Sequence, residues 1–215
     1  MKGFFLTLEG GEGCGKSTQL ERVAAALRSG SGREVLAARS PGGTSVAEKI
    51  RTTLKTREPG EELLPETELM LFGACHAQMC EYTIRPVLER GGIVISDRFT
   101  DSTLVYQGCA RRIDPELVRR VNEFACRGIR PDLTLVLEIP VELGLRRAAE
   151  RSGAAAAQDD RFDSESVAFH EAVRNGFLEL ARREPERFAV IDASPSPEQV
   201  TQSILKVIHE RLAII

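Results

Sequence analysis

The sequence predicts an α/β fold in which helices cover both faces of a parallel β-sheet. Five short apolar runs are typical of buried strands, and segments with apolar residues at helical spacing separate them. Strands that alternate with helices along a chain favour a parallel sheet. The chain has 215 residues, of which 42% are hydrophobic, so it can build one large core. We therefore expect a single domain over residues 1–215.

The strand-like runs are followed by polar or glycine-rich segments. The runs occupy residues 4–8, 34–38, 92–96, 133–138 and 188–191. Residues 10–18 follow the first run, residues 39–44 (RSPGGT) the second, and residues 97–99 (DRF) the third. Ligands of parallel sheets bind beyond the carboxyl ends of the strands. The sequence thus predicts that three loops, distant along the chain, converge on one crevice.

Residues 10–18 read GGEGCGKST and match the phosphate-binding pattern G-x-x-x-x-G-K-S. Glycines let backbone N–H groups turn toward a phosphate, and the start of the following helix adds its positive dipole end. We expect Lys16 to contact the β and γ phosphates and the Ser17 hydroxyl to reach Mg²⁺. A plain glycine turn would leave both side chains unexplained. The residues assigned to a nucleoside triphosphate are Gly10, Gly11, Glu12, Gly13, Cys14, Gly15, Lys16, Ser17 and Thr18.

Charge and composition exclude several classes of protein. The 29 Lys and Arg residues are balanced by 32 Asp and Glu, which disfavours nucleic acid as the main partner. No apolar stretch nears the roughly 20 residues of a membrane span, and the N-terminus runs directly into the first strand, so we expect no signal peptide. The five cysteines lack any C-x-x-C spacing. Free thiols in a reducing compartment are therefore expected, and with them a cytoplasmic location.

Segments spread over the whole chain together resemble the thymidylate kinase family. They read LEGGEGCGKST, RSPGGTSVAEKIR, LMLFGACHAQ, SDRFTDSTLVYQG, RPDLTLVLEIP with GLRRA after it, and DDRFDSES. They occur in the order and at the spacing of that family. The resemblance implies a P-loop NTPase-type sheet of five parallel strands, usually in a homodimer, and transfer of a phosphoryl group from ATP to dTMP with Mg²⁺.

The resemblance also assigns roles to single residues. Glu12 matches the residue near the 3′-hydroxyl of the acceptor sugar, and Asp97 an acidic residue near the metal. The other residues matched to dTMP are Arg39, Arg51 and Arg98 around its phosphate, Phe72 stacked on thymine, Thr103 and Gln107 near the base, and Tyr106 against a ribose 2′-hydroxyl. We expect Lys16 and Arg98 to act in catalysis as well.

Two positions depart from the family pattern. Bacterial relatives usually read Arg-Glu-Pro-Gly-Gly where this chain has Ser40, and usually have an arginine facing the thymine carbonyl where this chain has His76. Both changes shorten a charged side chain in the acceptor pocket. We expect His76 to bind the base more weakly and selectivity for the base to be looser than usual. The Ser40-Pro41 bond is expected to be cis, as in relatives.

Phosphoryl transfer needs a further cation, which the variable positions of the phosphate loop do not supply. Arginines flank the alanine-rich segment 151–161, which we interpret as a mobile lid at about residues 147–161, with a plain solvent loop as the alternative. Arg147 and Arg151 would share a helix face, and Arg161 would enter from the far side. We expect these three arginines to be catalytic, although they could also only solvate a helix surface.

Other functions stay open at this point. A kinase for another deoxynucleoside monophosphate would share the phosphate-handling residues, while Phe72, Thr103, Tyr106 and Gln107 favour dTMP. The N-K-x-D motif of GTPases and the L-S-G-G-Q motif of ABC ATPases are absent. A binding module without kinase activity also stays open. For the homodimer, the apolar residues of segment 66–90 are candidates, and they are Leu69, Leu71, Phe72, Met79, Ile84, Val87 and Leu88.

Overall fold

A computed structural model of the chain describes residues 2–156, 161–162 and 165–212, of which residues 151–156 and 212 are described by their backbone alone. Five parallel strands form one sheet in the order β2-β3-β1-β4-β5. The strands are β1 (Phe4–Glu9), β2 (Val35–Arg39), β3 (Ile93–Asp97), β4 (Leu133–Glu138) and β5 (Phe188–Asp192). Each overlaps a predicted run and differs from it by at most one residue at either end. The prediction of a five-stranded parallel sheet is confirmed.

Helices pack on both faces of this sheet, which confirms the predicted α/β class. In the described part of the chain they are α1 (Lys16–Gly30), α2 (Ser45–Lys55), α3 (Pro65–Met79), α4 (Arg85–Glu89), α5 (Thr100–Thr103), α6 (Pro115–Cys126), α7 (Val141–Ala156), α8 (Val167–Arg183) and α9 (Pro197–Leu212). Because successive side chains of a strand point to opposite faces of the sheet, each strand contributes to the core on both faces. Leu6 and Ile95 pack in the core that includes residues of α1 and α9, whereas Phe5 and Val94 pack in the core with residues of α3, α4 and α6.

The register of the sheet brings three of the loops together. Leu8 of β1 lies opposite Asp97 of β3, which in turn lies opposite Arg39 of β2. The carboxyl ends of these three strands are therefore level. The segments that follow them start side by side at the same edge of the sheet.

Two helices continue into π-helical segments, Cys80–Ile84 after α3 and Leu104–Ala110 after α5. In the second, the Arg111 N–H donates to the Tyr106 carbonyl at 2.9 Å, five residues back. Such segments are rare and are often found at functional sites. This one carries Tyr106 and Gln107, both of which were assigned to the acceptor nucleoside.

Helix α7 packs closely against the phosphate loop through two glycines. A Cβ atom on Gly13, whose φ is +68°, would lie 1.9 Å from the carbonyl oxygen of Gly144. A Cβ atom on Gly144 would lie 2.4 Å from the carbonyl oxygen of Glu12. Real Cβ atoms do not approach other atoms so closely. The loop and the first turn of α7 therefore contact each other backbone to backbone.

The predicted lid at about 147–161 is described only in part. Helix α7 continues as far as Ala156, so the first half of the alanine-rich segment interpreted as a mobile lid is helical. The helix propensity of its alanines outweighs the effect of Ser152 and Gly153. Residues 157–160 lie outside the described residues. Within the described ranges, no helix combines the length and apolar character needed to cross a membrane.

Candidate active site

A cavity of about 310 Å³ opens at the edge of the sheet where β1, β2 and β3 end. The three loops predicted to converge all contribute to its walls. The predicted site residues that line it are Glu12, Gly13, Gly15, Lys16, Ser17, Thr18, Arg39, Arg51, Phe72, His76, Asp97, Arg98, Thr103, Tyr106 and Gln107. Gly10 and Gly11 instead line a small space behind the phosphate loop, and Cys14 is buried in the core with α1.

The phosphate loop ends at the start of α1, where Gly15 adopts the left-handed conformation with a φ of 90°. The next residue, Lys16, is largely buried. Its Nζ donates to the carbonyl oxygen of Gly11 at 2.6 Å and to that of Gly10 at 3.2 Å, and it lies 3.3 Å from Cys14 Sγ. The cationic group of the loop is thus held over the loop backbone, at the start of a helix whose dipole also favours anions.

Ser17 and Asp97, the two residues predicted to bind the metal, are in contact. Ser17 Oγ donates to Asp97 Oδ2 at 2.8 Å. A hydroxyl and a carboxylate fit Mg²⁺, which takes oxygen ligands and usually combines one or two protein groups with water and substrate phosphates. The described residues contain no cluster of three or more His, Cys, Asp or Glu side chains that could hold a metal ion by itself.

Arg98 and Glu12 form a partly buried ion pair beside the phosphate loop. Arg98 Nη2 lies 2.6 Å from Glu12 Oε1, which also accepts a hydrogen bond from the Tyr106 hydroxyl at 3.1 Å. Burial raises the pKa of Glu12, but the charges of Arg98 and Lys16 outweigh burial and bring this pKa to about 2. Glu12 therefore stays ionised at neutral pH and holds the guanidinium of Arg98 in place.

The backbone of Arg98 is strained, with a φ of 67°, a conformation that is uncommon outside glycine. Glu9, at the end of β1, binds the residues that follow Arg98. Its carboxyl group accepts the Phe99 N–H at 2.8 Å and lies 2.5 Å from Ser102 Oγ. Burial, with a contribution from the nearby Asp101, raises the pKa of Glu9 to about 8. Strain held by surrounding contacts is typical of functional sites.

The cavity is also lined by aromatic side chains. Phe72 and Tyr106 both line it, and the ring of Phe162 lies 6.1 Å from each of them. Thr103 Oγ1 and Gln107 Oε1 are buried there, and neither has a hydrogen-bond partner among the described residues. Flat apolar rings together with unpaired polar atoms suit a heterocyclic base.

The two departures from the family pattern meet in this pocket. His76 Nε2 lies 3.1 Å from Ser40 Oγ, and both side chains are buried. Burial lowers the pKa of His76 to about 4, so the ring is neutral at pH 7. The Ser40-Pro41 bond is cis, as expected from the resemblance.

The other arginines assigned to the acceptor phosphate are held by neighbouring groups. Arg39 Nη2 lies 2.9 Å from Glu48 Oε2, and Glu48 also accepts the Gly43 N–H at 2.9 Å. Arg51 Nη1 donates to the Pro41 carbonyl at 2.7 Å. Both arginines therefore line the cavity from the side of α2 and the loop before it.

Arg147 and Arg161, the lid arginines whose side chains are described, contact different segments of the chain. Arg147 donates to the carbonyl oxygens of Ala193 and Ser194, each at 2.8 Å. Arg161 donates to the Leu54 carbonyl at 3.1 Å and to the carboxylate of Glu68. The side chain of Arg151 lies outside the described residues. The assignment of a catalytic arginine to the lid stays a prediction.

Three residues of this region were not found from the sequence: Glu9, Glu68 and Phe162. The one signal for Glu68 is that it lies one helical turn before Phe72. Glu9 and Phe162 lie inside quoted motifs but carried no assignment. Their neighbours in space come from distant parts of the chain.

Comparison with known proteins gives a consistent result. The family model described as thymidylate kinase matches residues 8–204. The chain is 46% identical over 211 residues to a thymidylate kinase of Geobacter sulfurreducens, with 98% of each chain covered. It is 46% identical over 204 residues to a thymidylate kinase of Pseudomonas putida, with 95% of this chain and 94% of the other covered. The crystal structure of thymidylate kinase from Ehrlichia chaffeensis superimposes with a TM-score of 0.75 at 29% identity, covering 97% of this chain and 99% of that one.

Proposed function

The chain belongs to the thymidylate kinase family, and we propose that it transfers the γ-phosphoryl group of ATP to dTMP, giving ADP and dTDP. The observation that carries this proposal is the layout of one cavity. Lys16 and the Ser17–Asp97 pair line the same cavity as Phe72 and Gln107. A triphosphate and a nucleoside monophosphate can therefore meet inside a single enclosure.

The residues of the cavity suit a reaction that depends on alignment and charge neutralisation. Lys16 would bind the β and γ phosphates of ATP, and Ser17 and Asp97 would hold Mg²⁺. When bound, Mg²⁺ neutralises phosphate charge and orients the phosphates. Arg98, fixed by Glu12, would bind the phosphate of dTMP. The acceptor phosphate is largely a dianion at pH 7, since its second pKa is about 6, so no general base is required.

A coupled assay of ADP release tests the proposal. With ATP and Mg²⁺ we expect dTMP to be phosphorylated faster than dUMP, dCMP, dAMP or dGMP. Lys16→Ala should abolish the activity, whereas Lys206→Ala, which changes an exposed lysine on α9, should not. If another monophosphate is the best substrate, the chain is a kinase of different specificity. If none is phosphorylated, the chain only binds nucleotides.

We also propose that the protein is a homodimer, as the family resemblance implies. Most apolar residues of segment 66–90 named for this role are core residues, since Leu69, Met79, Ile84 and Val87 are buried. Exposed apolar residues nearby include Met70 on α3 (58% exposed) and Leu117 and Phe124 on α6 (46% and 87%). The two helices touch where a Cβ on Gly73 would lie 3.0 Å from Val121 Cγ1, so these side chains flank one contact.

Sedimentation tests the dimer. We expect the wild-type protein to sediment as a dimer at micromolar concentration and Phe124→Glu to shift it toward a monomer. Val167→Glu, which changes another exposed apolar side chain at the start of α8, serves as the control and should leave the dimer intact. A wild-type monomer would refute the proposal.

All five cysteines are free, which supports the further proposal of a reducing, cytoplasmic location.

A further inference from the structure

Glu68 is a fully buried carboxylate in contact with Gln107, which lines the cavity. Its Oε1 accepts a hydrogen bond from Gln107 Nε2 at 2.6 Å and lies 3.3 Å from Arg111 Nε, while its Oε2 accepts from Arg161. A buried charge is costly unless it is paired and hydrogen-bonded. Two guanidinium groups and an amide meet that requirement here. The carboxylate is thus held from three sides.

The contact with Glu68 decides which way the amide of Gln107 points. An ionised carboxylate can only accept hydrogen bonds, so the NH₂ group of the amide must face it. Gln107 Oε1 is thereby directed away from Glu68, and it is buried without a partner among the described residues. Gln107 lines the cavity. A buried acceptor without a partner favours a ligand that brings a donor.

Pyrimidine bases differ at the atom that such an acceptor would meet. Thymine and uracil carry a hydrogen on N3 and donate, whereas N3 of cytosine accepts. With cytosine, two acceptors would face each other. Rotation of the Gln107 amide would relieve that contact, but it would then place Oε1 against the carboxylate of Glu68. Either arrangement leaves an unfavourable pair of acceptors in a buried site.

We propose that Glu68 is a positioning residue that fixes the amide of Gln107 and so selects pyrimidines with an N3 hydrogen over cytosine; this rests on the proposed function. Arg111 and Arg161 hold the carboxylate in place. The residue after Arg161 is Phe162, whose ring lies 6.1 Å from that of Phe72. The same carboxylate therefore also anchors a residue adjacent to an aromatic ring of the cavity.

The test compares kcat/KM for dTMP, dUMP and dCMP in Glu68→Gln. Because the introduced amide can either donate or accept, it no longer holds the amide of Gln107 in one orientation. We expect the kcat/KM for dTMP divided by that for dCMP to fall about tenfold or more in this variant. The kcat/KM for dTMP divided by that for dUMP should stay unchanged. Glu165→Gln is the matched control, because it removes another carboxylate that binds Arg111 (2.6 Å) and should leave both ratios unchanged.

The outcomes separate this inference from the proposed function. A wild-type enzyme that does not phosphorylate dTMP refutes the function. A wild-type enzyme that does so, with an unchanged dTMP to dCMP ratio in Glu68→Gln, refutes the role of Glu68 alone. If Glu68→Gln does not fold, Glu68→Asp keeps the charge but withdraws the carboxylate from Gln107, and the same fall in the ratio is expected. Where dCMP turnover is too slow to measure, the inhibition constant of dCMP for dTMP phosphorylation is compared instead.

Discussion

Ser40 Oγ lies 3.1 Å from His76 Nε2, so the two positions at which this chain departs from the usual family pattern are in direct contact. In the sequence they look like two independent substitutions, each of which removes a charged side chain. In the structure they form one contacting pair, in which a neutral serine and histidine take the place of a glutamate and an arginine. Because the pKa of His76 is about 4, the pair carries no charge at neutral pH.

Restoring only one charge of this pair should be harmful. We expect His76→Arg alone to lower the free energy of unfolding by about 3 kcal/mol, because the new guanidinium is buried without a carboxylate partner. The double variant Ser40→Glu/His76→Arg should recover most of that loss. Urea denaturation of the four proteins in a double-mutant cycle measures the coupling. Additive effects, or a lower KM for dTMP in His76→Arg alone, would show that the two positions act independently.

The raised pKa of Glu9 should make stability depend on pH. Its pKa of about 8 in the folded protein lies above the ordinary value of 4.5, so the folded state favours the protonated form. The resulting stabilisation is complete below the ordinary value and is lost as pH rises through about 8. Denaturation at several pH values should show a decline that is smaller in Glu9→Gln. Glu34→Gln is the control, since Arg90 lowers the pKa of Glu34 and keeps its titration below this window.

Asp97 should set the affinity for Mg²⁺. We expect Asp97→Asn to raise the Mg²⁺ concentration needed for half-maximal activity by about 10- to 100-fold, because it removes a charged oxygen next to Ser17. The KM for dTMP should change little. Asp192→Asn, at the end of β5, removes a carboxylate from the same edge of the sheet and should have no such effect. An unchanged Mg²⁺ requirement in Asp97→Asn would place the metal elsewhere.

The lid arginines should divide into two roles. Arg151→Ala is expected to lower kcat by about 10³, the size of an arginine-finger effect, with little change in the KM for dTMP. For Arg161 the contact with Glu68 changes the expectation. Arg161→Ala should mainly raise the KM for dTMP, because its partner holds the base pocket. Steady-state kinetics distinguishes these roles. If Arg161→Ala lowers only kcat, Arg161 acts on the phosphates of ATP and not on the base pocket.

The sequence was most informative where local patterns determine the structure. Strands buried on both faces read as continuous apolar runs, and glycine spacing marks a phosphate loop, so both were found. It was least informative for buried charge. Glu9 and Glu68 look like surface residues in the sequence, and the partners that make their burial possible lie far along the chain. The contact between Ser40 and His76 was missed for the same reason.

The contact between Gly13 and Gly144 has a consequence for how sequence changes affect ATP binding. Neither residue offers a side chain to a ligand, so neither would be chosen as a determinant of nucleotide affinity. Yet a single methyl group at Gly144 must separate α7 from the loop predicted to bind phosphates, because it would lie 2.4 Å from the Glu12 carbonyl oxygen. The distance between α7 and the phosphate loop leaves no space for an added side-chain atom. We therefore expect the affinity for ATP to fall even with alanine at position 144, although Gly144 has no side chain that could contact ATP.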